Sequence, residues 1–238
     1  MSRTWEYYGS GLPYLNEQYW PGHLVVMEGS DGSGRSTQIQ LLKDWLERQG
    51  HAVLDTGLKR SSLVSDMIIQ AKQGNLLGRT TLSLLYATDL ADQLENRVIP
   101  ALRAGFVVLA DRYIYSMMAR DLLRGASQEW LERLFGFALK PDLVLYLRTT
   151  PVERLHRSLA KNATLDYWES GMDVTLAADR FSSFLAYQGL LQEHYDRMAQ
   201  QYGFMTVDGS APKREVHKQV RDQVMACLSV PYNGARGG

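Results

Sequence analysis

Gly29-Ser30-Asp31-Gly32-Ser33-Gly34-Arg35-Ser36 follows the apolar run Leu24-Val25-Val26-Met27. Its spacing matches the phosphate-cradling pattern G-x-x-x-x-G-K-[ST] except that Arg35 stands where the pattern has lysine. Closely spaced glycines let the backbone curl so that successive N–H groups point at phosphate oxygens. A helix opening near Ser36 adds its positive N-terminal dipole, and the apolar residues of Gln38 to Leu46 recur at helical spacing. Lysine reaches phosphates as a compact point charge, whereas arginine is a longer planar fork suited to bidentate contacts. The pattern therefore predicts phosphate binding and leaves phosphoryl transfer open.

A second cluster follows another apolar run, Gly105 to Ala110: Asp111-Arg112-Tyr113-Ile114-Tyr115-Ser116. At the carboxyl end of a strand this segment shares the glycine loop's side of a parallel sheet. Asp111 is suited to positioning hydrated magnesium, and Arg112 to clamping the charge of a transferring phosphate. An isolated Asp-Arg pair would read as a helix cap on the surface; the glycine loop favours the chemical role. Other chemistries find no support. The five histidines, His23, His51, His156, His194 and His217, lack metal-ligand spacing such as H-E-x-x-H, and no G-x-S-x-G elbow occurs.

The elements that must position these groups alternate along the chain. Expected strands are Leu24–Met27, His51–Leu54, Gly105–Ala110, Asp142–Leu147 and Phe204–Val207. Expected helices run over Arg79–Ala104, Ser127–Leu139, Pro151–Leu159, Asp179–Gln201 and Lys213–Leu228. Near-continuous apolar strands separated by helices imply an α/β fold of three layers, a parallel sheet with helices on both faces. With 238 residues, 45% hydrophobic and 22% charged, the chain suits one large soluble domain, expected over residues 23–230. Lys+Arg and Asp+Glu balance at 26 each, so no global field favours nucleic acid or membrane as a partner. A single cysteine, Cys227, excludes an internal disulfide and fits a reducing cytoplasm. Residues 1–22 lack the pattern of a signal peptide and read as an aromatic extension, with Trp5, Tyr7, Tyr8, Tyr14, Tyr19 and Trp20, packed across the domain surface or a subunit interface. Residues 231–238 read as a frayed tail.

Taken in order, the motifs resemble those of the thymidylate kinase family of P-loop nucleoside monophosphate kinases. The family's E-G-x-D-G-x-G-K-[ST]-T-Q is similar to Glu28 through Gln38, its L-L-Y-A-A-D-R-A to Leu84 through Ala91, and its D-R-[YH]-x-x-S to Asp111 through Ser116. Its R-P-A-L-x-x-G resembles Ile99 through Gly105, and P-D-L-x-x-Y-L matches Pro141 through Leu147. The resemblance spans about residues 24 to 220 and implies a Rossmann-like P-loop NTPase fold. It also implies transfer of the γ-phosphoryl of ATP to dTMP or a related nucleoside monophosphate, with Mg2+, in a homodimer. By the same resemblance Gly29, Gly32, Ser33, Gly34, Arg35, Ser36 and Thr37 hold ATP, Ser36 and Asp111 face the metal, and Arg112 bridges donor and acceptor phosphates. Asp31 meets the acceptor sugar, Tyr86 stacks on the pyrimidine, and Ser116 belongs to the acceptor side. A lid over residues 154–180 offers Arg154, Arg157 and Lys161 as cations.

Departures from the family pattern fall on the acceptor pocket and the catalytic cations. Leu90 replaces an arginine that hydrogen-bonds thymine, Met117 and Arg120 occupy base- and sugar-contacting positions, and Tyr167 replaces a lid arginine. The R-E-P-G-G-T segment is unrecognisable around Thr56 to Ser61, where Lys59 or Arg60 supplies charge, and Gly171 to Ala178 reads as a lid insertion. Lost donors at a base-reading site erode discrimination. Two alternatives to the kinase reading stand beside it: a non-catalytic nucleotide-binding module, and a kinase for a different small phosphorylated acceptor.

Overall fold

The computed structural model describes residues 5–15, 20–74, 78–162 and 164–229. Tyr19 and the tail expected at 231–238 lie outside the described residues. Five strands, β1 (His23–Glu28), β2 (Val53–Gly57), β3 (Val107–Asp111), β4 (Leu143–Arg148) and β5 (Met205–Asp208), form one parallel sheet in the order β2-β3-β1-β4-β5. Sheet residues alternate between two buried faces. Leu24, Val26, Val108, Ala110, Val144 and Tyr146 enter one core; Val25, Met27, Val107, Leu109, Leu145 and Leu147 enter the other. Burial on both sides is why these strands read as unbroken apolar runs rather than alternating ones.

The second core is closed by α1 (Arg35–Arg48), through Ile39, Leu42 and Leu46, and by α9 (Lys213–Ser229), through Val216, Val220 and Val224. The first core takes α2 (Ser65–Gly74), α3 (Arg79–Gln93), α4 (Ile99–Arg103), α5 (Ile114–Leu123), α6 (Gln128–Leu134) and α8 (Arg180–Tyr202). A smaller cluster of Leu155, Leu165 and Phe184 joins α7 (Pro151–Asn162) to α8. Because β1 is central and the chain leaves it first toward β2 and later toward β4, the carboxyl ends of β1, β3 and β4 open a crevice where the winding reverses.

Several elements differ from their expected bounds for local reasons. The stretch expected as one helix over Arg79–Ala104 contains a π turn at Leu94–Val98 between α3 and α4. Pro100 lacks the N–H that would bond the carbonyl of Asn96, and the widened turn before it accommodates that loss. The helix expected over Ser127–Leu139 stops at Leu134: Gly136 lies against the backbone of Gly9, whose N–H donates to the Gly136 carbonyl at 2.8 Å. Neither α2 nor α5 was expected. The aromatic extension packs inward at both ends, with Trp5 and Trp20 buried and their rings 5.7 Å apart, and Tyr7 bridges antiparallel to Leu139.

Candidate active site

The loop after β1 is shaped by glycines with left-handed or otherwise restricted φ. Gly29 has φ 146°, and a Cβ there would sit 2.7 Å from the Leu147 carbonyl, so loop and β4 approach too closely for a side chain. Gly34, φ 97°, precedes the first residue of α1 without a capping side chain. The first N–H groups of α1 therefore lack an intrahelical partner, and exposed Gly34, Ser36 and Thr37 surround them.

Arg35 does not project from this loop. Its Nη1 donates to the carbonyls of Gly29 and Ser30, the latter at 2.6 Å, and to Ser33 Oγ at 3.2 Å; its Nε donates to Asp111 Oδ1 at 2.9 Å. The guanidinium thus ties the glycine loop to the end of β3. Burial opposes its charge, but Asp111 and Asp31 outweigh it and hold its pKa above the ordinary arginine value. For Asp111, burial is likewise outweighed by Arg35, Ser36 and Arg112, which hold its carboxyl below the usual range. Ser36 Oγ donates to Asp111 Oδ2 at 2.8 Å, which brings the two expected metal-facing oxygens together. A hydroxyl and a carboxylate are hard oxygen donors of the kind Mg2+ takes alongside waters and phosphates, so the pair fits that ion.

Arg112 occupies a positive φ of 75°, a backbone state costing a non-glycine residue ~1–3 kcal/mol. Surrounding bonds hold it there: its N–H donates to the Met27 carbonyl at 3.0 Å, Nη1 to Ser116 Oγ at 2.8 Å, and Nη2 to Asp31. Arg120 Nη2 donates to the other Asp31 oxygen at 2.6 Å. Asp31 is thereby clamped between two arginines.

Beneath them lies Glu28, fully buried at the end of β1. Its Oε1 accepts from the N–H groups of Tyr113, at 2.8 Å, and Ser116, at 3.2 Å; its Oε2 accepts from Ser116 Oγ at 2.8 Å and from the Tyr195 hydroxyl at 3.2 Å. Tyr113 is the N-cap of α5 and makes no side-chain cap. Glu28 therefore caps α5 from a neighbouring strand, satisfying the otherwise orphan Tyr113 N–H and sharing the Ser116 N–H with the Tyr113 carbonyl at the helix's positive end. Burial pushes its carboxyl up, against the pull of Arg112 and these bonds.

A cavity of about 650 Å³ opens beside this network. One end is lined by Asp31, Arg35, Asp111 and Arg112; the loop after β2 adds Lys59 and Arg60, α3 adds Arg79, Leu82 and Tyr86, and α5 adds Met117, Arg120, Asp121 and Arg124. The segment between α7 and α8 closes it with Tyr167, Trp168, Glu169 and Asp173. That volume suits a small-molecule ligand. Tyr86 stands in the wall, 9% exposed. Asp89, one helical turn on, accepts from the N–H groups of Lys59 and Ser61 at 2.7 and 2.9 Å and so fixes the cationic loop.

The remaining expected residues are placed differently. Leu90 is buried beside a small separate gap against Leu24 and Leu58, not in the large cavity's wall. Ser116 is buried within the Glu28 network. Arg154 is buried behind the loop, donating to the carbonyls of Thr149 and Gln188, and burial lowers its pKa to about 10. Arg157 donates to the carbonyls of Gly32 at 3.2 Å and Gly209 at 3.0 Å, bracing the glycine loop from outside. Lys161 is exposed and is not among the cavity's lining residues.

Sequence reasoning passed over Glu28 as a site group, and also Asp121, Arg124, Asp173 and Glu169. Arg124 grips Asp173 with Nε at 2.7 Å and Nη2 at 3.0 Å, joining the insertion to α5. Burial, with the charges of Asp31 and Asp166, pushes the Glu169 carboxyl up to about 7. Glu28 left a trace as a carboxylate ending an apolar run, and Asp173 as part of the insertion read at Gly171 to Ala178.

Comparison with known proteins places this geometry among relatives. A family model described as thymidylate kinase matches residues 27–220. A probable thymidylate kinase 2 of Saccharolobus solfataricus is 39% identical over 201 residues, 84% of this chain and 94% of that protein. A probable thymidylate kinase of Pyrococcus abyssi is 32% identical over 206 residues, covering 84% and 94%. A thymidylate kinase of Thermoanaerobacter is 26% identical over 220 residues, covering 87% and 99%.

Proposed function

Because the chain belongs to the thymidylate kinase family, we propose that the cavity takes dTMP or a close nucleoside monophosphate while the glycine loop takes ATP. The enzyme is an ATP-dependent phosphotransferase. A phosphate oxygen of the acceptor bonds to the γ-phosphorus, the bond to the β-γ bridging oxygen breaks, and ADP leaves. Such a transfer asks the protein for alignment and charge neutralisation rather than a covalent nucleophile. The observation that carries this reading is one cavity lined jointly by Asp31, Arg35 and Arg112 at the loop and by Tyr86 and Arg120 on the helices.

Within it, the N–H groups from Gly32 to Thr37 receive the ATP phosphates, and Arg112 neutralises charge between donor and acceptor. Arg35 contributes its positive charge from inside the loop, where a lysine's single ammonium would not reach both the loop carbonyls and Asp111. Tyr86 offers its ring to the acceptor base. Ser36 and Asp111 would hold Mg2+, which when bound neutralises charge on the phosphates. Arg157 steadies the loop, and Arg154 supports it from behind. A homodimer and a cytoplasmic setting complete the proposal, the latter supported by the single cysteine; no described helix is long and apolar enough to cross a membrane. The test is a panel of nucleoside monophosphates incubated with ATP and magnesium, for wild type beside Arg35→Lys. Diphosphate formation from dTMP or a neighbour is expected; nucleotide binding without any diphosphate would favour the non-catalytic alternative.

A further inference from the structure

Arg35 differs from the residue its loop pattern has, and its side chain is spent in a way that a lysine's would not be. The guanidinium is anchored on two sides. Nη1 donates to the carbonyls of Gly29 and Ser30 and to Ser33 Oγ, while Nε donates to Asp111 Oδ1 at 2.9 Å. A lysine carries one ammonium on a flexible stem. By reaching the phosphates of a bound nucleotide it leaves the carboxylate at the end of β3 open to a hydrated cation.

Asp111 is held as firmly as the arginine. Its backbone lies between Met27 of β1 and Gly57 of β2 in the sheet. Both of its carboxylate oxygens are engaged, Oδ1 by Arg35 and Oδ2 by Ser36 Oγ at 2.8 Å. The two side chains of the ion pair are 8% and 18% exposed, so water and salt screen it far less than a surface pair. Asp31, the other carboxylate at this end of the cavity, is matched by Arg112 and Arg120. Each of these two carboxylates thus carries a guanidinium before any ligand arrives.

We propose that Arg35 is a resident cation on the metal-facing carboxylate, so that the nucleotide-free protein excludes free divalent ions and Mg2+ joins the site only together with a polyphosphate. This assignment rests on the reading of Ser36 and Asp111 as the metal-facing pair. A free Mg2+ or Mn2+ ion gains little from a carboxylate already neutralised, and it meets the charge of Arg35 at close range. Bound phosphates change that balance, because they bring the negative charge and the hard oxygen ligands that the protein alone withholds. Arg35 is therefore a positioning residue that acts on the metal through Asp111.

The test follows Mn2+ binding by water proton relaxation, which rises when the ion joins a protein. Wild type, Arg35→Gln, Arg35→Lys and the double variant Arg35→Gln/Asp111→Asn are compared without nucleotide and with the β,γ-imido analogue of ATP, melting curves confirming that each is folded. Wild type should hold Mn2+ in the presence of the analogue and should bind the free ion at least about 10-fold more weakly than Arg35→Gln does, the effect of one opposite charge beside a carboxylate. Arg35→Lys should fall between the two. The double variant should return to the weak binding of wild type, which a loosened loop alone would not predict. Equal affinity for free Mn2+ in wild type and the folded single variants, or a double variant as tight as Arg35→Gln, overturns the assignment. Absence of enhancement in every protein, with or without the analogue, would instead remove the underlying reading of the Ser36 and Asp111 pair.

Discussion

At the scale of single residues, Glu28 shows how one buried carboxylate organises a site it need not touch. It caps α5, fixes Ser116, and through Ser116 restrains Arg112. Glu28→Ala would strand the Tyr113 N–H in the interior and take from the Ser116 N–H and the Tyr195 hydroxyl one of their two partners, at a cost of about 2 kcal/mol in urea unfolding; a loss under about 0.5 kcal/mol would contradict the capping role. Arg35 serves the loop in the same way. Arg35→Lys forfeits either the bond to Asp111 or those to the Gly29 and Ser30 carbonyls, so unfolding stability should fall by about 1–2 kcal/mol, and an unchanged midpoint would refute this. Glu169 supplies a pH signature. Its folded pKa of about 7 lies above the ordinary 4.5, so the stability linked to its protonation is fully present below 4.5 and lost as pH rises through 7. The unfolding free energy of wild type relative to Glu169→Gln should therefore decline between those values and level off above them; a constant difference across the window would show that the carboxyl titrates normally. None of these roles was legible locally. Glu28, Arg112 and Ser116 meet only because β1 and β3 pair in register, Met27 opposite Asp111.

Among elements, what the sequence disclosed and what it concealed divide along a physical line. The strands β1, β3 and β4 stood out because burial on both faces makes them apolar throughout. The glycine loop stood out because its backbone demands fixed residue types at fixed spacing. Helix α5 was invisible because Ile114 through Ala119 is buried on every side, so no amphipathic stripe betrays it. Its N-cap is supplied from another strand, which removes the usual start signal as well. The insertion at Gly171 to Ala178 was visible as extra length, but its anchoring through Asp173 to Arg124 depends on tertiary placement. That anchor makes a prediction for the lid. Asp173→Ala should free the segment from α5, raising amide exchange over residues 166–178 and weakening acceptor binding about tenfold, while ATP binding stays unchanged. Exchange rates identical to wild type would mean that the segment is held by other contacts.

Across the whole molecule, the aromatic extension belongs to the core rather than to a separate appendage. Trp5 and Trp20 are buried, and the Tyr8 and Tyr115 hydroxyls are hydrogen-bonded to each other, so residues 5–12 reach the back of α5 while its front faces the cavity. Trp5→Ala should cost about 3 kcal/mol of global stability, the usual penalty for emptying a buried aromatic site; a change within about 0.5 kcal/mol would show that the extension rides on the surface. One sheet and the crevice at its carboxyl ends give the molecule a large polar cavity where the glycine loop meets arginines on two helices. Phosphoryl transfer at that meeting point is the central claim, and acceptor-dependent formation of ADP from ATP tests it most directly, measured with dTMP for wild type and for Arg112→Met. The account predicts that wild type forms ADP and dTDP in equal amounts, and that Arg112→Met binds both nucleotides but turns over about 10³-fold more slowly. Equal rates for the two proteins, or ADP formation that ignores the acceptor, would contradict it.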